Sequence, residues 1–264
     1  MLRLTRQVRF AINATADDQR QHAPTNSHAG YPSLTGLGYF FSLDVTLAGP
    51  LDRDSQYLRN IKDIDGVVRT RGIPIVERHV REHTFGGGAS VLADLFAQLR
   101  DAWPGSALES IQLNLSPFMH LSAVAPELPM IRLSQKFEFS AAHRLHNAQL
   151  TDDANRQTFG KCNNPLGHGH NYEVQVTVSA APDAMGKVVD VPTLERTVAQ
   201  HVIDRFDHKN LNAEVPEFGD AIPSVENIAR VAFDLLKPQF AGGVKLVSVT
   251  VWETPKTWCE YSEA

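Results

Sequence analysis

Residues 159–172 read Phe159-Gly160-Lys161-Cys162-Asn163-Asn164-Pro165-Leu166-Gly167-His168-Gly169-His170-Asn171-Tyr172, and they place one cysteine and two histidines within nine residues. Apolar and polar residues then alternate from Tyr172 to Val178, which predicts a strand with one buried face. His168 and His170 have the same parity as the apolar residues, so we expect both imidazoles on one face where this strand begins. Two imidazoles at this spacing can bind the same metal ion.

A third histidine ends an earlier alternating segment, in which Phe139, Ala141 and His143 share one parity. If this segment pairs antiparallel with the strand that contains His170, the imidazole of His143 reaches the same point. Three histidines with an open fourth position are typical of a catalytic zinc site. Neutral nitrogen ligands also favour Zn²⁺ over Mg²⁺ or Ca²⁺. The alternative is ordinary surface or core histidines in a turn, but the same-face spacing beside a glycine-rich turn favours a metal site.

Composition limits the classes of protein to consider. The chain has 264 residues, of which 42% are hydrophobic, and a net charge of -5, so we expect one or two globular domains. No segment approaches the roughly 20 apolar residues of a membrane span, and the charged residues at 3 and 6 argue against a secretion signal. Two cysteines fit a reducing cytoplasm. We expect no nucleic-acid partner, because the balance is acidic and no basic cluster with aromatic residues occurs.

The chain carries a faint internal repeat. Four pairs of segments match in the same order: 3–10 with 132–139, 36–47 with 167–178, 90–99 with 224–233, and 110–117 with 248–255. Two copies of a strand-strand-helix-helix-strand-strand unit explain this order, whereas chance similarity of short alternating strings explains it less well. We therefore predict an α+β protein with copies at 1–125 and 130–264. A connector with two prolines, residues 123–129, is expected to be extended.

The two copies differ where chemistry would take place. Each candidate polar residue of the second copy aligns with an apolar or small residue of the first: His143 with Ala14, His168 with Leu37, His170 with Tyr39, Glu226 with Leu92, and Glu253 with Leu115. We therefore predict that the first copy is a scaffold without site residues. Residues 15–35 predict a polar loop, in which we expect His22 and His28 to be solvated.

Cys162 and the dipeptide Asp207-His208 are candidates for proton transfer. A thiol near a metal ion or an Asp–His pair has a lowered pKa and can act as a base or nucleophile. The alternatives for Cys162 are a small buried filler and a fourth zinc ligand. Asp207 and His208 follow a predicted helix that begins after Asp190, and they could form a relay with Cys162.

Two glutamates are candidates for ligand binding. Glu226 lies in the first turn of a helix predicted to begin after Ser224. Glu253 shares its parity with apolar residues of a predicted strand, and a buried carboxylate needs partners. A heterocycle with two adjacent N–H donors would be a good partner. A salt bridge to a lysine or arginine is the alternative.

These motifs together resemble the 6-pyruvoyl-tetrahydropterin synthase family, which includes bacterial 6-carboxytetrahydropterin synthases. The segments that carry the resemblance are 139–145, 159–165, 167–172, 207–211, 225–227 and 253–254, and it covers about residues 131–264. The five residues between Cys162 and His168 resemble the spacing of the pyruvoyl-type branch. The resemblance implies two tandem T-fold units, each an antiparallel four-stranded sheet with two helices on one face. Such units form barrels when they associate.

The resemblance also implies roles for the candidate residues. His143, His168 and His170 would bind Zn²⁺, and Cys162, Asp207 and His208 would form the catalytic relay. Glu253 would anchor the pterin, assisted by Glu226. The implied reaction is that of a carbon–oxygen lyase, which converts 7,8-dihydroneopterin triphosphate to a 6-substituted tetrahydropterin with loss of triphosphate. The alternatives are a 6-carboxytetrahydropterin product on a deazapurine (queuosine) route, and a non-catalytic pterin-binding subunit.

Members of this family usually have one unit per chain and assemble as hexamers of two stacked trimeric barrels. Their sites lie between subunits, and the Asp–His pair comes from a neighbouring subunit. A fused chain with one inactive copy should carry at most one site. We therefore predict a homotrimer of tandem chains with three sites.

Overall fold

The computed structural model describes residues 1–14, 27–82 and 88–263. They form two compact units, which we call the first unit (residues 1–133 with 180–188) and the second unit (134–179 with 189–264). Within the described residues, no helix combines the length and the apolar character needed to cross a membrane. His22, expected to be solvated, lies outside the described residues.

The first unit contains one antiparallel sheet and two helical segments. Its strands pair in chain order: β1 (Leu2–Asn13), β2 (Gly38–Gly49), β3 (Ala107–Ser116) and β4 (Met119–Val124). Between β2 and β3 lie α1 (Ile61–Val67), a π-helical turn (Val68–Gly72), α2 (Ile73–Arg81) and α3 (Ala89–Leu99). Phe10, Leu43 and Ile111 of the sheet and Leu95 of α3 are fully buried and belong to the core of this unit.

The second unit also has two strands, a helical region and two further strands, and among the described residues it contains in addition one helix between its first two strands and a short fifth strand. Its sheet contains β5 (Ile131–His143), β6 (His168–Ala180), β8 (Lys245–Thr254) and β9 (Thr257–Tyr261), in the order β5-β6-β8-β9, and the two-residue strand β7 (Lys209–Asn210) pairs parallel with β5. The first three residues of β5 belong to the first unit. Its helices are α4 (Asp152–Phe159), α5 (Val191–Val198), α6 (Asp204–Phe206) and α7 (Val225–Leu236).

The helix from α5 to α6, predicted to begin after Asp190, buries a side chain at every fourth residue. Leu194, Val198, Val202 and Phe206 are all fully buried. In a regular helix a step of four residues drifts by about 40°, so three steps would turn the last side chain well away from the core. A π-helical turn at Ala199–Ile203 takes up the extra rotation. The sequence predicts the helix but not this turn.

The caps of the two predicted helices differ. Asp190 caps α5, and its side chain accepts a hydrogen bond from the Thr193 amide, as predicted. Ser224 occupies the N-cap position of α7, but its hydroxyl makes no capping hydrogen bond.

The predicted connector at 123–129 is only partly extended. Ala123 and Val124 belong to β4, because Ala123 pairs with Ile111 and its side chain is fully buried. Residues Ala125–Glu127 then form a 3-10 turn. The segment between β5 and β6 contains α4, which Thr151 caps through a hydrogen bond from the Ala154 amide.

Irregularities of the two sheets occur at matching positions of the predicted repeat. A register shift lies between Thr46 and Leu47 in the first unit and between Thr177 and Val178 in the second. A second shift lies between residues 114 and 116 in the first unit and between 252 and 254 in the second. The two π-helical turns begin at Val68 and Ala199, separated by the same 131 residues as the first pair of shifts.

Candidate metal centre and active site

The pairing of β5 with β6 brings His143 and His168 together. Ser134 of β5 and Thr177 of β6 form a buried hydroxyl–hydroxyl hydrogen bond of 2.9 Å, in the antiparallel register that also places the last residue of β5 beside the first residue of β6. Gly167 makes this approach possible. Its φ is +72°, and an added Cβ would lie 3.0 Å from the carbonyl oxygen of His143. Positive φ together with so little space favours glycine over any other residue here.

The three imidazoles and the carboxylate of Glu253 form one cluster, in which all candidate ligand atoms lie within 4.8 Å of one another. Nε2 of His143 lies 3.1 Å from Nε2 of His168. Oε1 of Glu253 lies 3.3 Å from Nε2 of His143 and 3.3 Å from Nε2 of His170. Ligands of a tetrahedral Zn²⁺ ion at bond lengths of 2.0–2.1 Å are about 3.3 Å apart. The spacing of this cluster therefore fits a zinc ion.

Hydrogen bonding fixes the tautomer of His143. Its ring is fully buried, and its Nδ1 donates to the carbonyl oxygen of Pro223 over 2.6 Å. In the neutral ring, Nε2 then carries the lone pair, and this atom faces His168 and Glu253. A backbone partner of this kind orients a metal ligand and increases its basicity toward the ion.

Burial favours the neutral form of His143 and His168. Desolvation lowers the pKa of His143, and the neighbouring His168 and His170 act in the same direction, whereas the Pro223 carbonyl and Glu253 oppose it. Desolvation also lowers the pKa of His168, assisted by His170. Only the neutral form of the ring can bind a metal ion, so these shifts prepare both side chains for it.

Two ring nitrogens of the cluster lack a hydrogen bond within the described residues. Nδ1 of His168 and Nε2 of His170 are buried without a hydrogen bond within the described part of the chain. Buried polar atoms of native proteins nearly always have a partner, so such atoms need an explanation. A cation bound between the imidazoles would satisfy Nε2 of His170.

Glu253 lies closer to the imidazoles than its predicted role suggests. The sequence predicts a carboxylate that reads a heterocycle or pairs with a lysine or arginine, beside an open fourth metal position. In the described residues its ionic partners are His143 and His170 instead. The ladder between β6 and β8 pairs Glu173 with Trp252, so Glu253 stands opposite Tyr172 and on the face of His170. Its Oε1 therefore lies within ion-pair distance of two of the three imidazoles.

Cys162 lies in a 3-10 turn, Gly160–Asn163, close to the end of β5. The carbonyl of Cys162 accepts a hydrogen bond of 2.9 Å from the Leu145 amide. The next residue, Asn163, is buried and binds Arg144 and His146. The thiol is half-buried and not oxidised. Among the described contacts, it has no hydrogen bond to Asp207 or His208.

Asp207 and His208 contact each other beside β5. Oδ2 of Asp207 accepts a hydrogen bond of 2.8 Å from Nδ1 of His208, and Oδ1 accepts one of 2.8 Å from the Ser140 amide. These bonds, the Ser140 amide first, lower the pKa of Asp207. β7 follows the pair and joins β5 on the edge opposite β6, so the pair lies across β5 from the strand of His168 and His170.

His208 is exposed and has an unusual backbone. Its side chain is 82% accessible, and its φ is +57°, which is rare for a residue with a side chain. It lines a cavity of about 480 Å³ together with His170, Ser140 and Asn171. With Nδ1 donating to Asp207, Nε2 of His208 is free to accept a proton.

Glu226 lies apart from the cluster. It is exposed in the first turn of α7. Burial raises the pKa of Cys259 in β9, and the charge of Glu226 acts in the same direction.

Sequence reasoning missed the groups that support the candidate residues. The Pro223 carbonyl and the Ser140 amide are backbone groups, and no residue type reveals them in advance. Tyr172 is different, because its hydroxyl lies 3.4 Å from Nδ1 of His143 and its ring is fully buried. Its parity with His168 and His170 could have indicated this position.

Comparison with known proteins identifies the second half of the chain. The family model described as 6-pyruvoyl tetrahydropterin synthase matches residues 132–264. The human 6-pyruvoyl tetrahydrobiopterin synthase is 43% identical over 124 residues, which are 47% of this chain and 85% of the human protein. A 6-carboxy-5,6,7,8-tetrahydropterin synthase of Haemophilus influenzae is 29% identical over 157 residues, which cover 51% of this chain and all of that protein.

A solved structure is also similar. The 6-pyruvoyl tetrahydropterin synthase of Caenorhabditis elegans aligns with a TM-score of 0.49 and 38% identity, over 52% of this chain and 97% of that one. The family model alone covers half of the chain. Through residues 132–264, the chain belongs to the 6-pyruvoyl tetrahydropterin synthase family.

Proposed function

We propose that this chain is a zinc-dependent lyase that converts 7,8-dihydroneopterin triphosphate to 6-pyruvoyltetrahydropterin with loss of triphosphate. The observation that carries the proposal is the cluster of His143, His168, His170 and Glu253 within the part of the chain that matches the family. The identity to the human pyruvoyl-type enzyme, 43%, exceeds the 29% to the Haemophilus carboxy-type enzyme.

The three imidazoles would hold the ion, and the lowered pKa values of His143 and His168 suit this role. When bound there, Zn²⁺ supplies a Lewis acid for the side-chain hydroxyls of the substrate. The Glu253 carboxylate would accept the two adjacent N–H groups of the pterin, a bidentate contact that orients the ring. Glu226 is assigned as a second contact to the pterin.

Cys162 and the Asp207–His208 pair would move the protons. We assign the first deprotonation, next to the pterin ring or on its side chain, to the Cys162 thiolate. Nε2 of His208 would accept or return a proton while Asp207 holds the ring in the required tautomer. Triphosphate leaves by elimination, and internal proton shifts oxidise a side-chain carbinol to a ketone while they reduce the ring. No external redox cofactor is therefore required.

The site is proposed to combine residues of two chains. The His208 side chain is 82% accessible and lies across β5 from the strand of His168, which supports a role toward a neighbouring molecule. We propose a homotrimer of tandem chains with one site per chain. We also propose that residues 1–125 and 130–264 are two copies of one T-fold unit, and that the first copy is inactive. The matched register shifts and π-helical turns support this duplication.

A 6-carboxytetrahydropterin product is the second candidate, because two carboxy-type enzymes match this chain along 97% or more of their own length. Incubation of the purified protein with dihydroneopterin triphosphate, followed by mass spectrometry, separates the two. We expect the mass of 6-pyruvoyltetrahydropterin, and no product after treatment with a chelator. A carboxy product would replace the first candidate by the second. Release of no triphosphate with zinc-loaded protein would favour a pterin-binding subunit without catalysis.

A further inference from the structure

The first unit contains a cavity of its own. The residues that line it are far in sequence from the histidine cluster of the second unit. Its volume is about 440 Å³, within the range of small-molecule sites. The residues that line it come from β1, from the segment after residue 26 and from the π-helical turn: Thr5, Arg6, Gln7, Val8, Arg9, Ser27, His28, Gly30, Tyr31 and Arg69. All of them belong to the first unit.

One of the three arginines in this cavity is already paired. Nε and Nη2 of Arg6 each donate to one carboxylate oxygen of Asp65, and both distances are 2.8 Å. Both oxygens of the Asp65 carboxylate take part in this bidentate bond, and its negative charge neutralises that of Arg6.

The second arginine has only neutral acceptors among the described residues. Nε of Arg9 donates to Oε1 of Gln7 over 2.7 Å, and Nη1 donates to Nδ1 of His28 over 2.8 Å. Because Nδ1 of His28 accepts, its ring proton is on Nε2, which gives the cavity one more donor. These bonds orient the Arg9 guanidinium without cancelling its charge.

The third arginine is half-buried. Nη1 of Arg69 donates to the carbonyl of Tyr31, and its guanidinium lies 5.5 Å from the centroid of the Tyr31 ring. Burial lowers the pKa of Arg69, and the charge of Arg6 acts in the same direction, although Asp65 opposes both. In the described residues no carboxylate is hydrogen-bonded to Arg69. A cation removed from water without a counter-ion is costly, and a bound anion would offset that cost.

We propose that this cavity binds a phosphate group carried by a small organic molecule, with Arg9 and Arg69 as its two cationic contacts. Arg9 and Arg69 together carry two positive charges that no hydrogen-bonded carboxylate of the described residues balances. A phosphate monoester carries about two negative charges near neutral pH, whereas a single carboxylate carries one. A planar guanidinium group can also donate two hydrogen bonds to two oxygens of the same phosphate. The volume exceeds that of one phosphate group, so room remains for the organic part. This inference does not depend on the reaction proposed for the second unit.

Thermal unfolding of the full chain with inorganic phosphate as the probe tests the proposal. The protein is first treated with chelator, so that no metal ion binds phosphate, and acetate at equal ionic strength is the comparison. We expect phosphate, but not acetate, to raise the unfolding temperature, and Arg69→Met or Arg9→Met to weaken phosphate binding by about tenfold or more. Arg100→Met is the matched control, because Arg100 is exposed elsewhere in the first unit and should leave the effect unchanged.

Two results would overturn the proposal. The first is equal stabilisation by phosphate and acetate. The second is phosphate stabilisation that persists in Arg9→Met and Arg69→Met. If Arg69→Met does not fold, Arg9→Met alone decides the question, since in the described residues the Arg9 guanidinium bonds to the exposed side chains of Gln7 and His28.

Discussion

At the scale of single residues, Cys162 is the proposed base, and its removal should stop the reaction without removing the metal. Cys162→Ala should lower turnover by about 10²–10⁴-fold, the usual contribution of a general base. Zinc content should remain that of the wild type, because the proposed ligand atoms belong to the three histidines of the cluster and not to Cys162. Turnover of dihydroneopterin triphosphate and metal analysis measure the two effects. Cys259→Ala is the control. Full activity of Cys162→Ala would disprove the assignment.

The second prediction concerns how the Asp207 carboxylate makes the stability of the fold depend on pH. Its pKa is lowered by the Ser140 amide and by His208, so its charged form stabilises the fold. That contribution is complete above the carboxyl's ordinary pKa and is lost as the pH falls through the lowered value. Denaturant unfolding of wild type and Asp207→Asn should therefore differ most at pH 7 and converge as the pH approaches 3.

The control for this measurement is Asp234→Asn, whose carboxylate bonds to exposed Arg230 on the surface of α7. A stability difference between wild type and Asp207→Asn that stays constant from pH 7 to pH 3 would contradict the role given to the Asp207 carboxylate.

Residue types were enough to find the candidate metal ligands but not the whole cluster. The parity of His168 and His170 and the antiparallel pairing with the strand of His143 lead directly to the observed distances. The position of Glu253 beside the imidazoles depends on the register of β6 with β8, which alternation alone does not fix. The Pro223 carbonyl that orients His143 could not be predicted, since every residue has one.

At the scale of secondary-structure elements, the start of β6 depends on Gly167. Gly167→Ala should destabilise the fold by about 1–2 kcal/mol, because alanine is strained at positive φ and its Cβ would press on the His143 carbonyl. Zinc binding should weaken too, because the strain acts between the last residue of β5 and the first residue of β6. Urea unfolding and a zinc titration measure both effects.

Gly36 provides a matched control, since it aligns with Gly167 in the predicted repeat. A Cβ at Gly36 meets nothing within 4 Å, and its φ is not positive. Gly36→Ala should therefore change neither stability nor zinc binding appreciably. Equal effects of the two substitutions would mean that Gly167 has no special part in forming the site.

The strands and helices themselves were largely predictable. Alternation from Tyr172 to Val178 gives β6, whose apolar residues are fully buried. The spacing of Leu194, Val198 and Val202 gives the helix after Asp190. The π-helical turns were not predictable. They compensate the rotation of side chains spaced four residues apart around the helix axis, which matters only when the helix packs on the sheet.

At the scale of the whole molecule, the proposed assembly predicts complementation between inactive variants. If Cys162 and His208 act together across chains, a mixture of Cys162→Ala and His208→Ala should form mixed oligomers that contain some intact sites. Mixing after partial unfolding and refolding should then restore a fraction of the wild-type turnover. Light scattering should give the mass of a homotrimer. A mixture that stays inactive although mixed oligomers form would place both residues in the site of one chain.

The most direct test of the account is a titration of Zn²⁺ into the chelator-treated protein while triphosphate release from dihydroneopterin triphosphate is followed. The ligand cluster lies in the second unit, and the aligned positions of the first unit are Ala14, Leu37 and Tyr39. We therefore predict that activity rises in proportion to added Zn²⁺ and stops rising at one ion per chain. Activity that does not depend on Zn²⁺, or that requires two ions per chain, would contradict the account.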